Sequence, residues 1–96
     1  MTVSVCGVNY KIEHVDVIDE SCEGIVHGEI DYTKGIIRIK NGLPKDIERQ
    51  VIIHEIVHGI LFNVGKSKMT EDEEFVQLLA VGIFTSGFDI RIEEND

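Results

Sequence analysis

Two histidines lie four residues apart in the segment VIIHEIVHGI, residues 51–60, and a glutamate directly follows the first of them. On a helix of about 3.6 residues per turn, His54 and His58 lie one above the other, so both imidazoles can reach a single metal ion. Glu55 lies about 100° further round, where it can hold a metal-bound water without ligating the metal. Zinc lowers the pKa of such a water toward about 7, and a carboxylate can accept its proton. The spacing therefore predicts a zinc site, with Glu55 as the catalytic base.

A zinc hydrolase needs a third protein ligand and leaves the fourth position open. Residues 71–74 are all acidic and begin the next helical pattern. Part of this run also suits a helix N-terminus, since Thr70 and Glu73 match a capping box. We expect Glu73 to be the third ligand, with Glu74 in reserve. Gln77, four residues after Glu73, would share its face of the helix and support a neighbouring ligand by hydrogen bonding.

Hydrophobic spacing predicts two helices that carry these residues. The first begins near Pro44, whose missing N–H costs nothing in a first turn, and ends at Asn63 and Gly65. The second begins after Thr70 and runs to Gly87. A broad apolar stripe on the first helix is expected to face the core: Ile52, Ile53, Ile56, Val57, Ile60 and Val64. The histidines have mostly apolar neighbours, and metal ligation would satisfy their otherwise costly placement.

The residues before Leu43 have the alternation of β-strands. Residues 3–12 predict one strand or two short ones, and residues 24–32 and 36–40 predict a hairpin connected by Thr33, Lys34 and Gly35. In the second hairpin strand, Ile37 and Ile39 share one face. Residues 13–22 fit either a short helix or an extended passage, and residues 89–96 resemble a strand-like stub with an acidic end. The expected fold is one α+β domain, residues 1–96, with two helices on an antiparallel sheet of about three strands.

Composition narrows the classes of function. The formal net charge is −9, from 18 acidic and 9 basic residues, which disfavours a nucleic-acid-binding protein. An acidic mimic of DNA stays open as an alternative, although solubility is the simpler explanation of the charge. Two cysteines, Cys6 and Cys22, indicate reduced thiols and no disulfide framework. Neither a membrane span nor an export signal is evident, so we expect a cytoplasmic protein.

The helix with HEIVH, followed by an acidic residue on a second helix, resembles the gluzincin metallopeptidases. The small sheet, the HExxH helix and the segment EEFVQLLA, residues 73–80, resemble the minimal ImmA/IrrE family found on phages and other mobile elements. The resemblance covers roughly residues 24–84, with Glu73 in the ligand position and Gln77 where that family usually has Asn or Asp. It implies a zinc-dependent endopeptidase, with one zinc ion per chain, that cleaves a regulatory protein.

Further expectations concern the substrate, the oxyanion, the metal and the alternative function. A peptide or protein substrate would bind by β-addition along a sheet edge, formed either by residues 36–40 or by residues 25–32. Tyr32 and His27 are candidates to stabilise the oxyanion, and His14 is expected at the surface. Imidazoles with a carboxylate also suit manganese, iron or cobalt. The alternative function is a catalytically silent, zinc-stabilised binding or regulatory protein of a phage or mobile element.

Overall fold

The computed structural model describes residues 1–18, 27–88 and 90–94. The elements in chain order are β1 (Thr2–Val5), β2 (Val8–Val15), β3 (Gly28–Asp31), β4 (Ile36–Lys40), α1 (Lys45–Asn63), a 3-10 helix (Ser67–Glu71), α2 (Glu73–Thr85) and β5 (Ile92–Glu93). The α+β class is confirmed. Residues 19–26, which include Cys22 and the predicted start of the first hairpin strand, lie outside the described residues, as do residues 89, 95 and 96.

In the part of the chain that the structure describes, the sheet has five strands in the order β3-β4-β2-β1-β5, not the three that were predicted. Its pairing is also not wholly antiparallel, because β2 and β4 are parallel, with Ile12 opposite Ile37. The hairpin of β3 and β4 is antiparallel, as expected. The C-terminal stub is a strand that pairs with β1. Residues 13–15, left open as helix or extended, belong to β2.

Local sequence explains both tight connections of the sheet. Cys6 and Gly7 have φ angles of 51° and 80°, and two positive φ values in a two-residue loop match the twist of a β-hairpin. Between β3 and β4, the Asp31 carboxylate accepts hydrogen bonds from the backbone N–H groups of Thr33 at 3.0 Å and Lys34 at 2.9 Å. Such a turn fixes the register of β3 on β4 and thereby the position of β3 against α1.

The helix α1 is the middle layer of the molecule. Ile52 and Ile56 pack on the sheet, in a core with Val3, Val5, Tyr10, Ile12, Ile37 and Ile39. A second side of α1 packs against α2, in a cluster of Ile53, Val57, Leu61, Val76 and Ala80. The predicted stripe was wrong at its C-terminal end, because Ile60 and Val64 are exposed. They lie beyond the area that the sheet and α2 cover.

The second helix packs on α1 and makes no contact with the described strands, so the predicted arrangement of both helices on the sheet was wrong. The predicted capping box was also wrong. Asp72 is the N-cap of α2, and its side chain accepts a hydrogen bond from the backbone N–H of Phe75 at 3.0 Å. Thr70 lies in the preceding 3-10 helix. Capping by Asp72 leaves the side chain of Glu73 free to turn toward α1.

Among the described residues, no helix combines the length and the apolar character that a membrane span requires.

Candidate metal centre

His54, His58 and Glu73 converge where the middle of α1 meets the start of α2. One potential ligand atom from each lies within 4.8 Å of the others. The Nε2 atom of His54 lies 3.0 Å from Oε2 of Glu73, and the Nε2 atom of His58 lies 2.9 Å from Oε1. The imidazole rings are 5.0 Å apart at an interplanar angle of 61°. This group of two nitrogens and a carboxylate, the His-His-Glu group, is close enough to hold one metal ion.

Gln77 holds the ring of His54 in place from α2. The Nδ1 atom of His54 lies 2.7 Å from Oε1 of Gln77, so the Nδ1–H group donates to the amide oxygen. In the neutral ring, the lone pair of Nε2 then points at a carboxylate oxygen of Glu73 at 3.0 Å. Two lone pairs facing each other at this distance repel unless a proton on Nε2 or a metal cation lies between them. The donor set therefore fits a bound cation.

The surroundings keep the second histidine in the form that ligates metals. Burial lowers the pKa of His58 below its ordinary value, an effect that the nearby His54 reinforces and the Glu73 carboxylate opposes. A neutral imidazole offers its lone pair to a metal, whereas a protonated one cannot. The residue is only 7% exposed, while 67% of the Glu73 side chain is exposed. The His-His-Glu group is thus largely buried on the side of α1 and open to solvent on the side of Glu73.

Glu55 is buried beside this group, with an exposed fraction of 6%. Burial raises its pKa from 4.5 to about 8, and the carboxylates of Glu73 and Glu29 add to the increase. It is not a member of the His-His-Glu group. Burying a carboxyl group in this position destabilises the folded state. Groups whose pKa is strongly shifted in this way are concentrated at functional sites.

The edge strand β3 passes directly over Glu55 because residue 28 is glycine. A Cβ atom added to Gly28 would lie 2.6 Å from Cγ1 of Val51 and 3.4 Å from Oε2 of Glu55. Any larger residue would therefore push the strand away from α1. The close approach places the backbone of β3 near the carboxylate of Glu55.

Tyr32, predicted as a candidate oxyanion stabiliser, lies near the same carboxylates. Burial raises its pKa, and the charges of Glu55 and Glu73 contribute to the increase, while a hydrogen bond with Thr70 opposes it. Its ring stacks on Phe62 with centroids 4.2 Å apart and planes 6° from parallel. The sequence analysis missed the contributions of Thr70 and Phe62. Phe62 is four residues after His58 and was detectable as a neighbour on the same face of α1.

The other predicted site residues lie outside the group. Glu74 is exposed and does not belong to the His-His-Glu group. The Nδ1 atom of His27 is buried and has no hydrogen-bond partner in the part of the chain that the structure describes. His14 is exposed, as expected, and its Nε2 atom is hydrogen-bonded to the Glu48 carboxylate, a partner that was not predicted.

Comparisons with known proteins give no relatives: no protein family, no curated protein and no solved structure matches the chain.

Proposed function

We propose that this protein is a zinc-dependent metallopeptidase in which His54, His58 and Glu73 hold the ion and Glu55 is the general base. The observation that carries the proposal is the position of Glu55. It is a buried carboxyl group with a pKa of about 8, directly beside a cation-binding group and outside it. A bound cation would lower this pKa toward neutrality, where a carboxylate serves best as a proton acceptor.

In the proposed hydrolysis, zinc, Glu55 and Gln77 have separate roles. Zinc, when bound, supplies a Lewis acid that acidifies water and polarises a carbonyl group. Glu55 accepts the proton of the attacking water and later delivers it to the leaving amine. Gln77 keeps the ring of His54 in its ligating orientation through the 2.7 Å hydrogen bond. Glu55 is only 6% exposed, so bulk water has little access to the carboxylate.

The strand β3 is the proposed docking edge for the substrate. It is the terminal strand of the sheet, whereas β4 lies between β3 and β2. Residues 36–40 therefore have no free edge, and within the described ranges 1–18, 27–88 and 90–94 β3 is the candidate strand at the end of the sheet. An extended peptide on β3 would run beside Gly28, where the strand lies close to Glu55. This arrangement favours an extended peptide segment as the substrate, and the resemblance to ImmA/IrrE proteins favours a regulatory protein as its source.

The test is turnover of a proteome-derived peptide library by zinc-loaded protein, with cleaved bonds identified by mass spectrometry. The variant Glu55→Gln keeps the shape of the side chain and removes the base, so we expect cleavage to fall by at least about 10²-fold. Glu74→Gln removes an adjacent exposed carboxylate and serves as the matched control, with activity retained. Zinc content should be unchanged in both variants. Equal activity of Glu55→Gln and the parent protein would contradict the proposal.

A metal-stabilised binding protein is the second candidate. The observation that favours it is the position of the His-His-Glu group, which joins α1 to α2, because a metal linking two helices stabilises a domain of this size. This candidate predicts no cleavage by the parent protein at any zinc concentration, together with full zinc binding by Glu55→Gln.

A further inference from the structure

The side of α2 that faces away from α1 is apolar and uncovered in the part of the chain that the structure describes. The exposed fractions are 37% for Phe75, 64% for Leu78 and 42% for Leu79. Gly82 lies on the same side, two turns after Phe75, and a Cβ added there would meet no atom within 4 Å. We call these four residues the outer face. A helix that is apolar on both sides is typical of one packed between two partners.

Charge indicates what kind of partner suits the outer face. Residues 75–88 contain no charged side chain, although the whole chain carries a net charge of −9. Two copies of such an acidic protein repel each other over most of their surfaces. The outer face is a charge-free surface on which two copies can meet without opposing carboxylates.

The spacing of the outer face is self-complementary. Phe75 and Gly82 are separated by seven residues, about 10.5 Å along the helix, and Leu78 and Leu79 occupy the midpoint. If two copies of α2 pack antiparallel about a two-fold axis at this midpoint, each Phe75 ring lies over the open surface at Gly82 of the other copy. Leu78 of one copy then packs against Leu79 of the other. Large residues opposite small ones allow two helices to approach closely.

We propose that this protein forms a two-fold dimer through the outer face of α2. The antiparallel arrangement places the acidic residues 71–74 of the two copies at opposite ends of the interface. Glu73 and Gln77 lie on the side of α2 that carries the buried Ala80, opposite the outer face, so dimerisation leaves the His-His-Glu group accessible. Four side chains per copy supply less than the roughly 800 Å² per partner of a standard interface, so the dimer is of the weaker, concentration-dependent kind.

The test is sedimentation velocity on the full chain between about 1 and 200 µM, a range that brackets the micromolar dissociation constants of small interfaces. The parent protein should approach twice the 10.8 kDa of one chain. Leu78→Lys should weaken the dimer at least about tenfold. The matched control is Val17→Lys, which places the same charge at an apolar residue that is 72% exposed on another part of the chain and should leave the dimer unchanged.

The variant Gly82→Gln separates loss of the interface from loss of folding. Glutamine is a better helix former than glycine, so the melting temperature should not fall, while the filled surface should weaken the dimer at least about tenfold. Zinc content should match the parent protein in all variants. A monomer at every concentration, a dimer insensitive to both α2 variants, or open-ended association beyond two copies would each overturn the proposal.

Discussion

The Nδ1 atom of His54 on α1 and the Oε1 atom of Gln77 on α2 lie 2.7 Å apart. This hydrogen bond crosses the interface of the two helices and sets the direction in which the other ring nitrogen points. It also shows how a neutral amide performs the orienting role, since a carbonyl oxygen accepts from Nδ1–H without carrying a charge.

We expect Gln77→Leu to lower zinc affinity about 10- to 100-fold, because the ring of His54 loses the acceptor that fixes its orientation. Gln77→Glu supplies a stronger acceptor at the same length and should retain or raise the affinity. Competition with a fluorescent chelator measures both dissociation constants. Equal weakening in the two variants would mean that Gln77 contributes shape and not a hydrogen bond.

The third ligand can be identified through stability. At a free zinc concentration about 100-fold above the dissociation constant, binding should add about 2.7 kcal/mol to the free energy of unfolding of the parent protein. Glu73→Ala should lose most of this increment, since Glu73 is in the His-His-Glu group. Glu74→Ala should keep it. Urea unfolding with zinc and with a chelator gives both values, and loss of the increment in Glu74→Ala alone would transfer the ligand to that residue.

The contact of β3 with α1 predicts a compensating pair of substitutions. Gly28→Ala should destabilise the protein by about 1–3 kcal/mol, because the new Cβ would lie 2.6 Å from Cγ1 of Val51. Val51→Ala removes that atom and should also destabilise on its own. The double variant should lose less free energy of unfolding than the two single variants lose in sum. Strict additivity in a double-mutant cycle would show that the strand can move away from α1 without cost.

The pKa of Glu55 predicts how the metal-free protein responds to pH. Its value is raised from 4.5 to about 8 in the folded state, so its contribution to stability is fully present below pH about 4.5 and is lost as the pH rises through about 8. His58 acts in the opposite sense. Because its folded pKa lies below 6.5, its contribution is present above pH 6.5 and is lost as the pH falls.

Between pH 6.5 and 8 the effect of Glu55 therefore dominates. We expect the free energy of unfolding, measured with urea in the presence of a chelator, to fall by about 2 kcal/mol across this window, since one proton corresponds to about 1.4 kcal/mol per pH unit. The variant Glu55→Gln should remove the decline. A decline of the same size in Glu55→Gln would assign it to another group.

Tyr32 and Thr70 test the proposed role of the tyrosine hydroxyl. Tyr32→Phe keeps the stacking on Phe62 and removes the hydroxyl. Thr70→Val removes the hydrogen-bond partner of that hydroxyl, together with the hydrogen bond that Thr70 donates to the Ser67 carbonyl. If the hydroxyl stabilises the oxyanion, kcat should fall about 10²-fold in Tyr32→Phe and much less in Thr70→Val, with zinc content unchanged. Equal small effects in both variants would make the hydrogen bond purely structural.

Local signals predicted the helices and the convergence of the site residues. His54 and His58, like Glu73 and Gln77, are four residues apart and therefore share one face of a helix. This holds however the helix packs against the rest of the protein. Pro44 lies at the N-cap of α1, one residue outside the predicted first turn, and Gly65 follows its end. Such signals depend on neighbouring residues alone.

Pairing over long distances could not be predicted in the same way. The parallel alignment of Ile12 with Ile37 joins segments 25 residues apart, and no periodicity within either strand specifies its neighbour. The two-residue strand β5 is defined by its pairing with β1, which lies far away in the sequence. The closeness of Gly28 to Glu55 likewise depends on how β3 lies on α1, although the glycine itself was visible in the sequence.

The parallel pairing of β2 and β4 also bears on the order of folding. The β1–β2 and β3–β4 hairpins close turns of two and four residues, 6–7 and 32–35, so each can form through contacts that are short in sequence. The parallel pair of β2 and β4 joins residues 25 apart and must close the longer loop that contains β3, so joining the two hairpins is the slower step. We therefore expect the two hairpins to form before the parallel pair joins them, with Glu55 becoming enclosed only when β3 docks on α1.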